Sequence, residues 1–428
     1  MYRLSKLKNG TNLITIPLKG TKSLTAMVLF PIGSRYEDKN LSGASHFVEH
    51  MLFKGTQKRP TYLDISRELD AVGAEYNAFT YKDYTGYYVK VSSAKTKLAF
   101  DFLSDIVFNS RIDKEEMDKE RGVIIEELRM YEDNPGMAVD LLCDKALFGD
   151  HPLGWDIAGT METLKSITRD QLWDYYKKYY FPHNMVLVVS GNINAKAKKF
   201  LKYFSDIKQT GGSDLHNKYR AFSWSDSVPL EKRIQVSQKK LDQANVIMGF
   251  PGIKHNHPDR YAASVLLNIL GGGMSSRLFV EVREKRGLAY VINVGGASFR
   301  DVGVANVQIG LDPSRLDEAL KVIRQELVKL KDEPVSAKEL ENAKSNIAGR
   351  LALGMEDSSA QAQWFARQFW FSNKMETFET YIQKIKKVTA KDVKRLAGKI
   401  FDFDQMRLAV VGPESKEKIL QVIKSISK

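Results

Sequence analysis

Hydrophobic and polar positions alternate along the first thirty residues in the two-residue rhythm of strands. Residues 2–8, 12–18 and 24–32 are read as three strands, the first two joined by an Asn9-Gly10 turn. A second pair, 75–80 and 85–92, is rich in Tyr, Thr, Phe and Val around the turn residues Lys82 and Asp83. Between and after them the rhythm becomes helical: an opening helix within 43–54, then 61–72 ending before Gly73, 95–109, 113–131, 135–148 starting at Asn134-Pro135, and 168–179. A strand at 184–190 and a helix at 193–204 close the first half.

The order then recurs. Ile167–Leu172 (ITRDQL) resembles Val388–Val393 (VTAKDV), and Met185–Gly191 (MVLVVSG) resembles Met406–Gly412 (MRLAVVG), both at an offset of 221 (388 − 167 and 406 − 185). Thr25–Phe30 has a counterpart in Ala244–Phe250, each followed by a loop and a helix. The pattern predicts an α+β fold of two homologous α/β-sandwich halves, each a mostly antiparallel sheet with helices packed on one face. The expected division is 1–210, a linker at 211–218 overlapping the Gly- and Ser-containing run Gln209–Asn217, and 219–428.

Composition narrows the class. With 43% hydrophobic and 27% charged residues in 428, the chain is an ordinary globular one, and its apolar runs are far short of the ~20 residues that span a bilayer, so no membrane partner is expected. The N-terminus has no uninterrupted apolar stretch of the signal-peptide kind, and Cys143 is the only cysteine, so a reducing cytoplasm is expected. The net charge of +13 could suggest nucleic acid. Yet Lys and Arg are spread along the chain, with only short clusters such as Lys196–Lys199 and Lys384–Lys387, and no recognition motif accompanies them; no nucleic-acid partner is expected.

The opening helix carries the chemistry. His46, Glu49 and His50 lie at i, i+3 and i+4, so both imidazoles can face one metal ion with the carboxylate beside them. Phe47, Val48, Met51, Leu52 and Phe53 suit a buried helix, and Ser42 or the run Gly43–Ser45 is its start signal. An isolated histidine on an apolar helix is most often an ordinary packed residue. Here two of seven histidines fall four apart around a Glu, which composition alone would produce on the order of 0.01 times per chain. Two neutral imidazoles favour zinc, and a carboxylate that is not a ligand can take a proton from water whose pKa the ion lowers to about 7. The order His-x-x-Glu-His inverts the more familiar His-Glu-x-x-His.

A catalytic zinc site usually has three protein ligands. Glu115, Glu116, Glu120, Glu126 and Glu127 on the predicted helix 113–131 are the candidates; Glu120 and Glu127, seven apart, share a face, and Glu126 points about 100° away from Glu127. His46-x-x-Glu49-His50 followed by Glu127, 77 positions after His50, resembles the signature of the pitrilysin/insulinase-type zinc metallopeptidases, in a short, processing-peptidase-like form. The resemblance implies His46, His50 and Glu127 as metal ligands for one Zn2+ per chain, Glu49 as general base, and Glu120 as a supporting carboxylate; a slip of one would make Glu126 the ligand. The second-half helix near 261–270 has neither His nor Glu, so only the first half would hold metal. His255 and His257 are read as solvated loop residues.

Residues 73–89 resemble the family's active-site edge strand, with Asn77, Ala78 and Phe79 as substrate-binding positions where an extended peptide would add as a strand. Read without the resemblance, they are a plain aromatic-rich hairpin. Arg283 and Tyr290 resemble the family's Arg/Tyr pair, donors to a substrate carbonyl and to the oxyanion; without it they end an amphipathic helix at Gly287 and open a strand, and Arg286 competes with Arg283. Gly271–Ser276 lacks the Gly-Lys-Ser/Thr of a phosphate loop and is read as a flexible loop.

The resemblance implies a zinc-dependent endopeptidase acting on peptides or short unfolded segments held extended in an enclosed chamber. Long relatives join four such domains and this chain has two, so a homodimer is implied. The alternative, also drawn from the family, is a non-catalytic structural subunit of a larger complex.

Overall fold

The computed structural model describes residues 2–208, 215–225, 228–372 and 374–427. It contains two compact units. The first comprises the described residues of 1–129, 155–220 and 354–375, the second those of 130–154, 221–353 and 376–428. The expected linker at 211–218 lies partly outside the described residues.

The first unit is built on six strands: β1 (Arg3–Lys6), β2 (Asn12–Pro17), β3 (Ser23–Phe30), β4 (Glu75–Thr80), β5 (Thr85–Ser92) and β6 (Val186–Gly191), in the order β1-β2-β6-β3-β5-β4. Only β2 and β6 run parallel. The second unit has β7 (Ile234–Gln238), β8 (Ala244–Pro251), β9 (Ala289–Ser298), β10 (Gly303–Leu311) and β11 (Arg407–Gly412), in the order β7-β11-β8-β10-β9, and only β7 and β11 run parallel. Without β1 the two sheets have the same order and the same pattern of directions, which is the duplication in structural form. β4 and β9 are equivalent edge strands.

The repeat at an offset of 221 has a local cause. Thr168 caps helix Arg169–Tyr179 in a capping box with Gln171, and Thr389 caps helix Ala390–Ile400 in the same way with Asp392. Each box satisfies two orphan helix donors, so both copies retain Thr followed three residues later by a side chain that can accept a hydrogen bond. The stretch expected as one helix at 193–204 is instead two short ones, Ala195–Phe200 and Lys202–Ser205.

Central strands are apolar on both faces. In β3, Leu24, Ala26, Val28 and Phe30 join the core under the motif helix, while Met27 and Leu29 join a second cluster on the other side. In β8, Val246, Met248 and Phe250 face one cluster and Ile247 another. Helices line one face of each sheet, and one further helix covers the opposite face. For the first sheet it is Ser358–Phe371, whose Ala362, Phe365 and Ala366 are buried on it and whose Trp370 Nε1 donates to the Leu29 carbonyl at 3.3 Å. For the second it is Pro135–Phe148, through Val139, Cys143 and Leu147. That helix lies so close that a Cβ on Gly249 would stand 3.2 Å from Cys143 Sγ. Where the expected division cuts the chain once, the compact units therefore interleave: each takes its outer helix from the opposite half of the sequence. Periodicity shows that a helix has an apolar face but not which sheet receives it.

The motif helix, Ala44–Met51, buries Ala44, Phe47, Val48 and Met51. Its start falls in the expected run Gly43–Ser45, and no serine side chain caps it. Gly43 is the N-cap at φ +98°, where a Cβ would also come within 2.5 Å of the Ala158 carbonyl oxygen. The acceptor comes from Glu37, whose buried carboxylate takes the Gly43 and Ser45 N–H groups at 2.7 and 2.6 Å. Helix Lys114–Asp133 supplies the distal glutamates. Among the described residues no helix is long and apolar enough to cross a membrane.

Candidate metal centre and active site

His46 and His50, one turn apart on the motif helix, bring their Nε2 atoms to 3.3 Å. Glu127 Oε2 stands 3.7 Å from the first and 3.6 Å from the second. Ligand atoms 2.0–2.1 Å from a tetrahedral zinc ion lie about 3.3–3.4 Å apart. The triangle thus has nearly the dimensions of a zinc site, and its donors, two imidazoles and a carboxylate, are the right chemistry. Among the described residues these three form the group of His, Cys, Asp and Glu that could hold an ion. Glu126 is not part of it: its side chain is exposed and paired with Arg129 at 2.6 Å.

Burial and then the neighbouring His50 push His46 down to about 4, so its imidazole is neutral near pH 7 and has a lone pair to give. Its Nδ1 is buried with no hydrogen-bond partner among the described residues. His50 is oriented differently. Its Nδ1 lies 2.8 Å from Glu120 Oε1, and Lys54 Nζ holds Glu120 Oε2 at 2.5 Å. Burial works to raise Glu120, but the hydrogen bonds from His50 and Lys54 outweigh it and keep the group below the usual carboxylate range. An ionised Glu120 fixes the tautomer in which His50 Nε2 is the free donor atom.

Glu49 stands beside the ligands and is not one of them. Burial raises it above the ordinary carboxylate value, opposed by a hydrogen bond from Thr80 Oγ1 to Glu49 Oε2 at 2.5 Å. Thr80 is the last residue of β4, and sequence reasoning did not single it out. Its signal was available in strand alternation, since Thr80 shares a face with Ala78. Lys54, four residues after His50, and Glu37 were likewise missed.

Asn77, Ala78 and Phe79 lie in mid-β4, on the free edge of the sheet. Asn77 is exposed and its Oδ1 accepts the Ala78 N–H at 2.8 Å. The Phe79 ring lies across Gly86, where a Cβ would stand 2.3 Å from it, so Phe79 offers its backbone rather than its side chain. His46, Glu49, His50, Glu120, Glu127 and this edge all belong to the first unit.

Arg283 and Tyr290 belong to the second. The amphipathic helix expected before Gly287 is a π-helical turn, Phe279–Glu284, whose wide i→i+5 spacing is rare and favours functional positions. In it Arg283 lies with its guanidinium 4.9 Å from the Phe279 ring centre and is exposed. Arg286 is engaged by Glu281 at 2.7 Å. Tyr290 lies on edge strand β9 with its phenol across Gly310, where a Cβ would come within 2.6 Å of Oη.

Known proteins share this arrangement of sheets and this motif-bearing half. Residues 14–161 match the model for insulinase, peptidase family M16, and residues 166–347 match that for the peptidase M16 inactive domain. An uncharacterized zinc protease of Streptomyces coelicolor is 35% identical over 416 residues, covering 96% of this chain and 89% of that protein. One from Bacillus subtilis is 35% identical over 414 residues, covering 96% and 98%. Among solved structures, a protease from Helicobacter pylori superposes with a TM-score of 0.90 at 25% identity, covering 96% of this chain and 99% of that one. A chain of complex III2 from Candida albicans reaches 0.82 at 17% identity, covering 98% and 99%, which shows the fold alone. With relatives at this identity along nearly its whole length, and with the inverted zinc motif in the half that the insulinase model matches, the chain belongs to the insulinase-type M16 peptidase family.

Proposed function

We propose that the chain is a zinc-dependent endopeptidase that cleaves peptides or short unfolded segments bound in extended conformation. The observation that carries this reading is the triangle of His46 Nε2, His50 Nε2 and Glu127 Oε2, at 3.3 to 3.7 Å, with the carboxylate of Glu49 beside it. One zinc ion per chain, held by these atoms, would supply Lewis acidity at the scissile carbonyl and lower the pKa of water to about 7.

The chain's own residues do the rest. Glu49 accepts the proton of the attacking water and delivers it to the leaving amine. Glu120 holds His50 through Nδ1. The open edge of β4 at Asn77, Ala78 and Phe79 offers main-chain groups to a substrate backbone, which gives affinity with little sequence preference. Arg283 and Tyr290 are assigned, from the family resemblance, as donors to the substrate carbonyl and the oxyanion. Two copies of the chain pair to enclose the peptide, a homodimer that makes up for having two such domains where long relatives have four.

The test is digestion of a mixed peptide library by the purified protein, with and without a chelator, with product masses read out. Chelator-sensitive internal cleavage supports the reading. Zinc-loaded protein that cleaves nothing would point to the alternative, a structural subunit that kept the fold.

A further inference from the structure

Thr80 ends edge strand β4 and pairs across the ladder with Thr85. Strand alternation puts its side chain on the face of Tyr76 and Ala78, which pack on the motif-helix core, whereas Phe79 packs on the opposite cluster. There its Oγ1 reaches Glu49 Oε2 at 2.5 Å.

The backbone on either side of that hydroxyl is clamped. The Tyr81 N–H donates to the Tyr84 carbonyl at 2.8 Å, and the Ser34 and Arg35 N–H groups donate to the Tyr81 and Lys82 carbonyls at 3.2 and 2.9 Å. The buried Arg35 guanidinium lies 3.4 Å from Asp83, and the buried Thr85 hydroxyl donates to the Ile32 carbonyl at 2.9 Å. Gly33 passes so close that a Cβ would stand 1.9 Å from the Tyr81 carbonyl oxygen. The Thr80 hydroxyl is thus mounted on fixed backbone, whereas the Glu49 side chain rotates about three bonds.

We infer that Thr80 is a positioning residue that holds Glu49 by Oε2 and leaves Oε1 as the oxygen that takes the proton. Glu49 Oε1 carries no hydrogen bond among the described residues, so the two oxygens of the carboxylate have different surroundings. The inference rests on the peptidase reading, in which Glu49 is the base. It also deepens that reading: the edge proposed to align the peptide and the hydroxyl that aims the base are parts of one strand, so the register of the substrate and the direction of proton transfer are set together. Thr80 acts through Glu49 and touches neither substrate nor ion. A hydroxyl bonded to an ionised carboxylate is a charge-assisted contact, and its loss lowers the step that depends on it by about tenfold to a hundredfold.

The experiment compares wild type, Thr80→Val, Thr80→Ser, Glu49→Gln and the double variant Thr80→Val/Glu49→Gln on one cleaved peptide, with zinc content and melting temperature measured for each. Valine keeps the shape of threonine and removes the hydroxyl; serine keeps the hydroxyl. The expected result is a kcat for Thr80→Val lower by about tenfold or more with KM, zinc content and melting temperature unchanged, recovery in Thr80→Ser, and no further loss from Thr80→Val in the Glu49→Gln background. If wild type cleaves the peptide and Thr80→Val keeps full kcat, or the two losses multiply in the double variant, this inference alone is overturned. If wild type cleaves nothing, the peptidase reading falls and takes this inference with it.

Discussion

His50 Nδ1 and Glu120 Oε1 lie 2.8 Å apart, so the imidazole whose Nε2 faces His46 and Glu127 is aimed from behind by a buried carboxylate. Such outer partners typically contribute 10- to 100-fold in metal affinity. Glu120→Ala should weaken zinc binding by about that factor without abolishing it, as read by competition with a chromophoric chelator. An unchanged dissociation constant would mean that the contact does not orient the ligand.

Removal of a member of the triangle should have a larger effect. His46→Ala and Glu127→Ala should each lose stoichiometric zinc after dialysis. Zinc at about 100 times its dissociation constant stabilises a folded protein by about 2.7 kcal/mol. The wild-type melting temperature should therefore rise on adding zinc and fall back with chelator, and the two variants should show no such response. A zinc response in His46→Ala equal to that of wild type would place the ion elsewhere.

Glu49→Gln should separate binding from chemistry. The amide cannot take a proton, and general bases contribute typically 10²- to 10⁴-fold. Zinc content should stay at the wild-type level while peptide cleavage drops by at least about a hundredfold. Full activity in this variant would sink the assignment of the base.

Glu37, beneath the start of the motif helix, gives a pH dependence with a definite sign. Burial, opposed by the bonds it accepts from Ser45 and Gly43, raises it from 4.5 to about 7. The folded state therefore keeps this proton longer than the unfolded one, and the stability present below pH 4.5 is lost as pH rises through about 7, on the order of 3 kcal/mol for so buried a group. His46, lowered from 6.5 to about 4, pulls the opposite way between those values. The readout is accordingly the difference between wild type and Glu37→Gln: wild type should lose ground against the variant from about pH 4.5 to about pH 7 and hold level above it. A difference that stays constant across that range would show that Glu37 is ionised throughout.

Arg59, nearly inaccessible, lies 2.8 Å from Asp105 and 3.1 Å from Asp101 and also pairs with Glu68. Arg59→Ala leaves Asp105 buried without its cation, hydrogen-bonded only by Thr56 and Asn109, at a cost of about 3–5 kcal/mol. Chemical denaturation should show that loss, and a change below about 1 kcal/mol would mean that water enters and solvates the pair.

The parts of this molecule that were legible beforehand are those written in short-range spacing. His46 and His50 four apart, Glu120 and Glu127 seven apart, and the likeness of Ile167–Leu172 to Val388–Val393 are each carried by a few neighbouring letters. Thr80, Lys54 and Glu37 escaped because each acts on a residue it meets only through the fold; Thr80 and Glu49 are separated by 31 positions. The π-helical turn around Arg283 escaped because its sequence suits an ordinary helix, and its apolar spacing does not distinguish i→i+5 from i→i+4 bonding. The destinations of helices Pro135–Phe148 and Ser358–Phe371 escaped for a related reason. An apolar stripe says that a partner is needed and is silent about which one.

That exchange of outer helices sets a schedule for synthesis. Ile14, Ile16, Met27, Leu29, Val186 and Val188 line the face of the first sheet that waits for helix Ser358–Phe371. At roughly 1.5–3 kcal/mol per buried side chain, leaving them bare forfeits on the order of 10 kcal/mol, as much as the whole net stability of a typical domain. A ribosome that has delivered His46, His50 and Glu127 has therefore not yet delivered a durable fold. The first sheet lacks that wall until the chain has grown past Phe371, and a gene cut between the halves would yield two fragments that each lack a wall and carry the other's.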